Sequence, residues 1–202
     1  MEPKLSSKDR KRIEESIRQK YARVSESLEG LFTYPSGRAG IEALKYDPEI
    51  IRALPETVLA SYCGVGNPFS LGPIHKGETV LDIGCGGGVD TFIAAVMVGP
   101  TGKTVGIDTV PEMLERAVKN LHEITVANVT FREASAEALP FPDESFDVII
   151  SNGVFNLIPD KSKALREAFR VLKPNGRLMI ADQVLTGKLQ EDPDKRVESW
   201  FR

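Results

Sequence analysis

The sequence predicts a doubly wound α/β domain with a mostly parallel sheet, and three observations carry that prediction. From position 78 onward, short apolar runs of strand length alternate with stretches whose apolar residues recur at helical spacing. Several of those runs are almost continuously apolar, as strands covered on both faces are. The first run leads straight into four glycines within five residues, in VLDIGCGGGVDTFIA at positions 80–94.

The 202 residues suit one ordinary domain with an appended helical segment, divided as an N-terminal helical cap or lid over 1–60 and a main domain over 61–202. A net charge of -3, with KDRKR at 8–12 as the one basic cluster, gives no reason to expect a nucleic-acid partner. Two cysteines, Cys63 and Cys85, have no paired spacing, which argues against a disulfide framework and points to a reducing, cytoplasmic setting. The start lacks an apolar signal region, and the strongly apolar run at 92–98 is far shorter than the roughly 20 residues that span a bilayer, so no membrane is expected.

Along the chain, Ile13, Ile17, Tyr21, Val24 and Leu28 form one helical stripe within residues 9–32, either a packing helix or a lid. A loop with Pro35 and Gly37 follows, then Asp47-Pro48 opens a short helix, and the glycine- and proline-rich stretch 64–77 reads as loop. Strands are predicted at 79–83, 104–107, 129–132, 146–151 and 177–181. Leu114, Ala117, Val118 and Leu121 mark a helix with Pro111 just inside a start capped by Thr109. Leu165, Ala168, Phe169 and Leu172 mark another, capped by Asp160 and stopped by LKPNG. Strand–helix alternation of this kind builds a parallel sheet with right-handed crossovers.

Glycines between a first strand and a helix let a ligand lie against bare backbone beside the free N–H groups of the helix start. No Gly-Lys-Ser/Thr follows, so this is not a phosphate loop of the Walker type. A G-x-G-x-x-G reading fails as well, because its third glycine falls on Val89 or Thr91. Asp82 would repel a pyrophosphate but attract a cation. A nicotinamide-dependent oxidoreductase is disfavoured on both counts.

The stretch does match D-x-G-x-G-x-G at Asp82, Gly84, Gly86 and Gly88. In this it resembles the cofactor loop of S-adenosylmethionine-dependent methyltransferases of the Rossmann-like class, a resemblance that covers about residues 60–182. It implies S-adenosylmethionine as cofactor, with Asp82 near the methionine part, directly or through water, and the loop from Gly84 through Cys85, Gly86 and Gly88 against the cofactor. Asp108, at the end of the second strand, can accept both ribose hydroxyls, with Thr109 beside it. Ser135 and Ala136 are placed at the adenine edge, although many relatives carry an aspartate where this chain has Ser135. Asn152, Gly153 and Val154 border the methyl group, since ligands lie at the carboxyl ends of parallel strands. Asn152 is both a cofactor contact and the one candidate to orient an acceptor; no other catalytic residue and no metal ligand is assigned. His122 reads as a surface residue, and a lone loop histidine such as His75 is not assigned as base or ligand.

Within that class, SYCGVGNP and SNGVFNLIPDKSKALREAFRVLKPNGRL look closest to the arsenite methyltransferase branch. The branch grips trivalent arsenic with thiols, a soft ion with sulfur ligands. Its cysteines fall on Val65 and Gly153 here, and a further one lies beyond the end of this chain, so arsenic is not the expected substrate. The expected activity is methyl transfer to a small-molecule acceptor, and the alternative of another class is a noncatalytic S-adenosylmethionine-binding module. The chain is expected to be truncated after the fifth strand, which leaves an edge through which a homodimer would form.

Overall fold

The computed structural model describes residues 5–184. Five strands form one sheet in the order β3-β2-β1-β4-β5, with every neighbouring pair parallel: β1 Thr79–Ile83, β2 Lys103–Asp108, β3 Val129–Glu133, β4 Phe146–Asn152 and β5 Leu172–Ala181. The doubly wound prediction therefore holds. Helices α5 (Val89–Val98), α6 (Pro111–Leu121) and α7 (Lys161–Val171) make the crossovers after β1, β2 and β4. The chain runs outward from β1 to β3, then returns to place β4 on the other side of β1. That reversal opens a crevice at the carboxyl ends of β1 and β4, where ligands bind in such sheets. The register brings those ends level, with Ile83 opposite both Ile107 and Ser151.

Before the sheet come α1 (Ser7–Glu26), α2 (Gly37–Ala43), α3 (Pro48–Ala53) and α4 (Glu56–Leu59). Ser6 caps α1 through the Asp9 N–H, and Asp47 caps α3 through the Glu49 N–H. Ile41, Ile51, Val58 and Leu59 from the short helices share one hydrophobic cluster with Phe92 and Ile93 of α5. Helix α1 lies on α6, where Val24 packs with Val110 and Met113, flanked by Tyr21, Phe32 and Cys63. Of the predicted stripe, Ile13 and Val24 are buried, and the helix ends at Glu26, before Leu28. Among the described residues no helix is long and apolar enough to cross a membrane.

Several local expectations change. Thr109 is exposed and does not cap α6; the cap position is Val110, whose N–H is taken by the Asp108 carboxylate at 3.0 Å. The buried face of α6 is Met113, Ala117 and Asn120, with Val118 44% exposed, because the cover of α1 falls on the Met113 flank. The buried face of α7 is Ala164, Ala168 and Val171, small residues that let the helix lie close to the sheet, while Phe169 is 81% exposed. The turn LKPNG does not precede the fifth strand but is part of it. β5 pairs from Leu172, breaks register, and carries Asn175 at φ 64, a left-handed value that asparagine tolerates. The loop 64–77 contains a 3-10 turn, Pro68–Leu71, capped by Asn67. His75 and His122 are both exposed.

Candidate functional site

The glycine loop is shaped by backbone conformation first. Gly84 and Gly88 lie at φ 75 and φ 85, the left-handed region that L side chains rarely adopt. Crowding adds to this: a Cβ on Gly88 would stand 2.9 Å from the rings of Phe131 and Phe92. The Gly84 and Cys85 N–H groups both donate to the Ile107 carbonyl, at 2.8 and 2.9 Å, so the loop folds over the end of β2.

Asp108, the last residue of β2, completes that junction. Its carboxylate accepts the Gly86 N–H at 3.0 Å with one oxygen and the Val110 N–H at 3.0 Å with the other. A carboxylate has about four lone-pair positions, so acceptor capacity is left for ligand hydroxyls. Burial raises the carboxyl above its ordinary value, opposed by the Val110, Gly86 and Thr109 N–H groups. Thr109 itself faces solvent. On the adjacent strand, paired to β2 through Asp108 and Glu133, the chain continues into Ser135 and Ala136. Ser135 is exposed, with its hydroxyl accepting the Glu137 N–H at 3.2 Å, and Ala136 is buried.

Asp82 sits one level lower, inside β1, and is only 2% exposed. The Thr91 hydroxyl donates to it at 2.6 Å, and burial, then the neighbouring Asp90, push its carboxyl well up. Asp82, Asp90 and Asp108 are all raised chiefly by burial. Both thiols are raised too, Cys63 to about 12 by burial and then by Asp108, and Cys85 by burial with Asp108 and Asp82.

Asn152, at the end of β4, is committed on both sides of its amide. Its oxygen accepts the Val65 and Gly66 N–H groups at 2.9 and 3.1 Å. Its nitrogen donates to the Gly66 carbonyl at 2.8 Å and to Asp90 at 2.9 Å. The amide is therefore taken up by protein partners. Val65 packs directly on Gly153, whose virtual Cβ would be 3.4 Å from it. The two positions that resemblance pairs with arsenic-binding cysteines are neighbours in space, and neither carries a thiol. Among the described residues no group of three metal-ligating side chains comes together.

The fold thus aligns Gly84–Gly88, Asp108, Thr109, Ser135, Ala136 and Asn152 along the carboxyl edge of four adjacent strands, with Asp82 beneath. Sequence reasoning passed over Asp90, Tyr46 and Glu137. Asp90 had a visible signal, a lone acid at the head of an otherwise apolar helix. Glu137 had none: it is 6% exposed, pairs with Arg10 of α1, and accepts the Asp160 N–H at 3.1 Å. That pair ties α1 to the segment that follows β3.

A family of methyltransferase domains matches residues 74–202. The arsenite methyltransferase of Halobacterium salinarum is 35% identical over 211 residues, 96% of this chain and 54% of that protein. A ubiquinone/menaquinone biosynthesis C-methyltransferase of Enterobacter sp. is 47% identical over 111 residues, 54% of this chain and 44% of that protein. Among solved structures, an arsenic(III) S-adenosylmethionine methyltransferase from Chlamydomonas reinhardtii superposes with a TM-score of 0.65 at 34% identity, covering 73% of this chain and 52% of that one. The chain spans about half the length of the curated relatives it matches.

Proposed function

Because this chain belongs to the methyltransferase domain family, we propose that it binds S-adenosylmethionine in the crevice at the ends of β1, β2 and β4 and transfers a methyl group to a small-molecule acceptor. The observation that carries this reading is the junction of Asp108 with the glycine loop. One carboxylate fixes the loop through Gly86 and keeps acceptor capacity for ribose hydroxyls. When bound, the cofactor supplies an already activated methyl group.

The chain's own residues then have two tasks, alignment and exclusion of water. Gly84 and Val154 meet at the centre of the crevice and shape the methyl position. Ser135 and Ala136 take the adenine edge, and α1, held by the Arg10–Glu137 pair, closes over that side as part of the N-terminal cap. Asn152 acts by holding backbone, not by touching the acceptor. No general base is assigned, since a thiol or a predeprotonated amine needs none.

The acceptor we propose is not arsenite. Trivalent arsenic needs converging thiols, whereas Val65 and Gly153 meet as apolar groups. The test is transfer of labelled methyl from S-adenosylmethionine to a panel of small thiols, amines and hydroxyl compounds, with arsenite included. Label in one organic acceptor, and none in arsenic, supports the reading; label in arsenic alone overturns the acceptor assignment.

A further inference from the structure

We propose that Asp90 is a positioning residue, which orients the Asn152 amide so that the 62–67 loop is pinned against the end of β4 and forms the acceptor-facing wall of the site. The inference rests on the methyl-transfer reading above for the meaning of that wall, but not for the geometry of the latch.

The latch is an accounting of donors and acceptors. An asparagine amide can be turned over with almost no change in shape, so its orientation is decided by partners. Here the oxygen receives Val65 and Gly66 N–H, while the nitrogen faces the Gly66 carbonyl and the Asp90 carboxylate. Turned over, the amide would set donor against two N–H groups and acceptor against a carboxylate. The ionised Asp90 makes that alternative costly, because it accepts only. Its other oxygen accepts the Tyr46 hydroxyl at 3.0 Å. Tyr46 and Tyr62 lie 3.0 Å apart, hydroxyl to hydroxyl, and each reaches the Gly66 carbonyl, at 3.0 and 2.9 Å.

The pinned loop has little room to shift. A Cβ on Gly66 would stand 2.6 Å from the Cβ of Ala181 at the end of β5, so the loop backbone lies directly on the sheet's carboxyl edge. Val65 then rests on Gly153, and the next residue, Val154, covers Gly84. The order of a helix-borne carboxylate is thereby passed to the centre of the crevice.

Protonation offers the specific readout. The groups facing Asp90 are the Tyr46 and Tyr62 hydroxyls from the segments before the sheet, the Asn152 amide from β4, Asp82 from β1 and the Cys63 thiol. Burial raises Asp90 to about 6, against the hydrogen bonds from Asn152 and Tyr46, which lower it. A protonated Asp90 becomes a donor; the Tyr46 hydroxyl can turn to Gly66, and the bias on the Asn152 amide weakens.

The experiment uses the full chain with S-adenosylhomocysteine as probe. Amide resonances of Val65 and Gly66 and the side-chain resonances of Asn152 are followed from pH 5 to 8, and the affinity for the probe is measured over the same range. We expect the three sets of resonances to titrate together near pH 6, with affinity weakening several-fold on the acid side. Both effects should vanish in Asp90→Asn. In Tyr46→Phe, which removes one stabilising donor and leaves the fold's core in place, the midpoint should rise. Unlinked titrations, or an unchanged midpoint in Tyr46→Phe, would overturn the proposal. Failure of the wild-type chain to bind the probe at any pH would instead count against the cofactor reading, while the resonances still decide the latch.

Discussion

A Cβ placed on Gly84 would stand 2.2 Å from the Cγ2 of Val154, so the first glycine of the loop and the second residue after β4 share one tight contact. Two separate demands meet there, a left-handed backbone and the absence of a side chain. Gly84→Ala should therefore destabilise the fold by about 1–3 kcal/mol and displace Val154. Adding Val154→Ala should relieve the clash but not the φ penalty, giving partial, non-additive recovery. Urea unfolding of the single and double variants checks this.

The Arg10–Glu137 pair predicts how α1 is held. Glu137 is buried and Arg10 partly exposed, so removing the guanidinium leaves the carboxylate without its charge partner, held by the Asp160 N–H. Arg10→Ala should cost roughly 1–3 kcal/mol after allowance for solvent screening at the arginine. Hydrogen exchange should accelerate over residues 7–26 while β1 and β4 stay protected. Uniform acceleration along the chain would mean that α1 is no separate latch.

Stability should depend on pH through Asp90. Its folded value, about 6, lies above the ordinary 3.8, so between these values the folded chain holds a proton that the unfolded chain releases. Its contribution is fully present below about pH 4 and is lost as pH rises through 6, roughly 3 kcal/mol in all. Asp82 is shifted in the same direction. Unfolding free energies of Asp90→Asn, compared with wild type across this window, should lack that part of the slope.

Thiol chemistry gives another prediction. Cys63 is pushed up to about 12, chiefly by burial, so it holds little thiolate at neutral pH. Iodoacetamide should label it slowly at pH 7.5, and arsenite should not slow the labelling, since Val65 and Gly153, the positions that the resemblance pairs with arsenic-binding cysteines, carry no thiol. Mass spectrometry of labelled peptides reads both rates.

Much of this arrangement was legible in the sequence because it follows from short-range rules. Three of the glycines, Gly84, Gly86 and Gly88, indeed take left-handed backbone, and the spacing of strands put Asp108 level with them. What was not legible depends on partners distant along the chain. Asp90 gains its role from Tyr46, 44 positions away, and from Asn152, 62 positions away. The faces of α6 and α7 were misjudged for a related reason. Periodicity shows that a stripe exists, but neighbours decide which flank is covered, as α1 does at Met113. Thr109 reads as a cap on composition, but the helix starts one residue later, behind Val110, whose N–H goes to the Asp108 carboxylate.

The most direct test of the cofactor site is calorimetric titration of the chain with S-adenosylhomocysteine, beside an Asp108→Ala variant. Asp108 braces Gly86 and, in the site we propose, accepts the ribose hydroxyls, so the wild type should bind and the variant should lose about tenfold or more in affinity. Equal binding by the two proteins, or none by the wild type, would contradict the site.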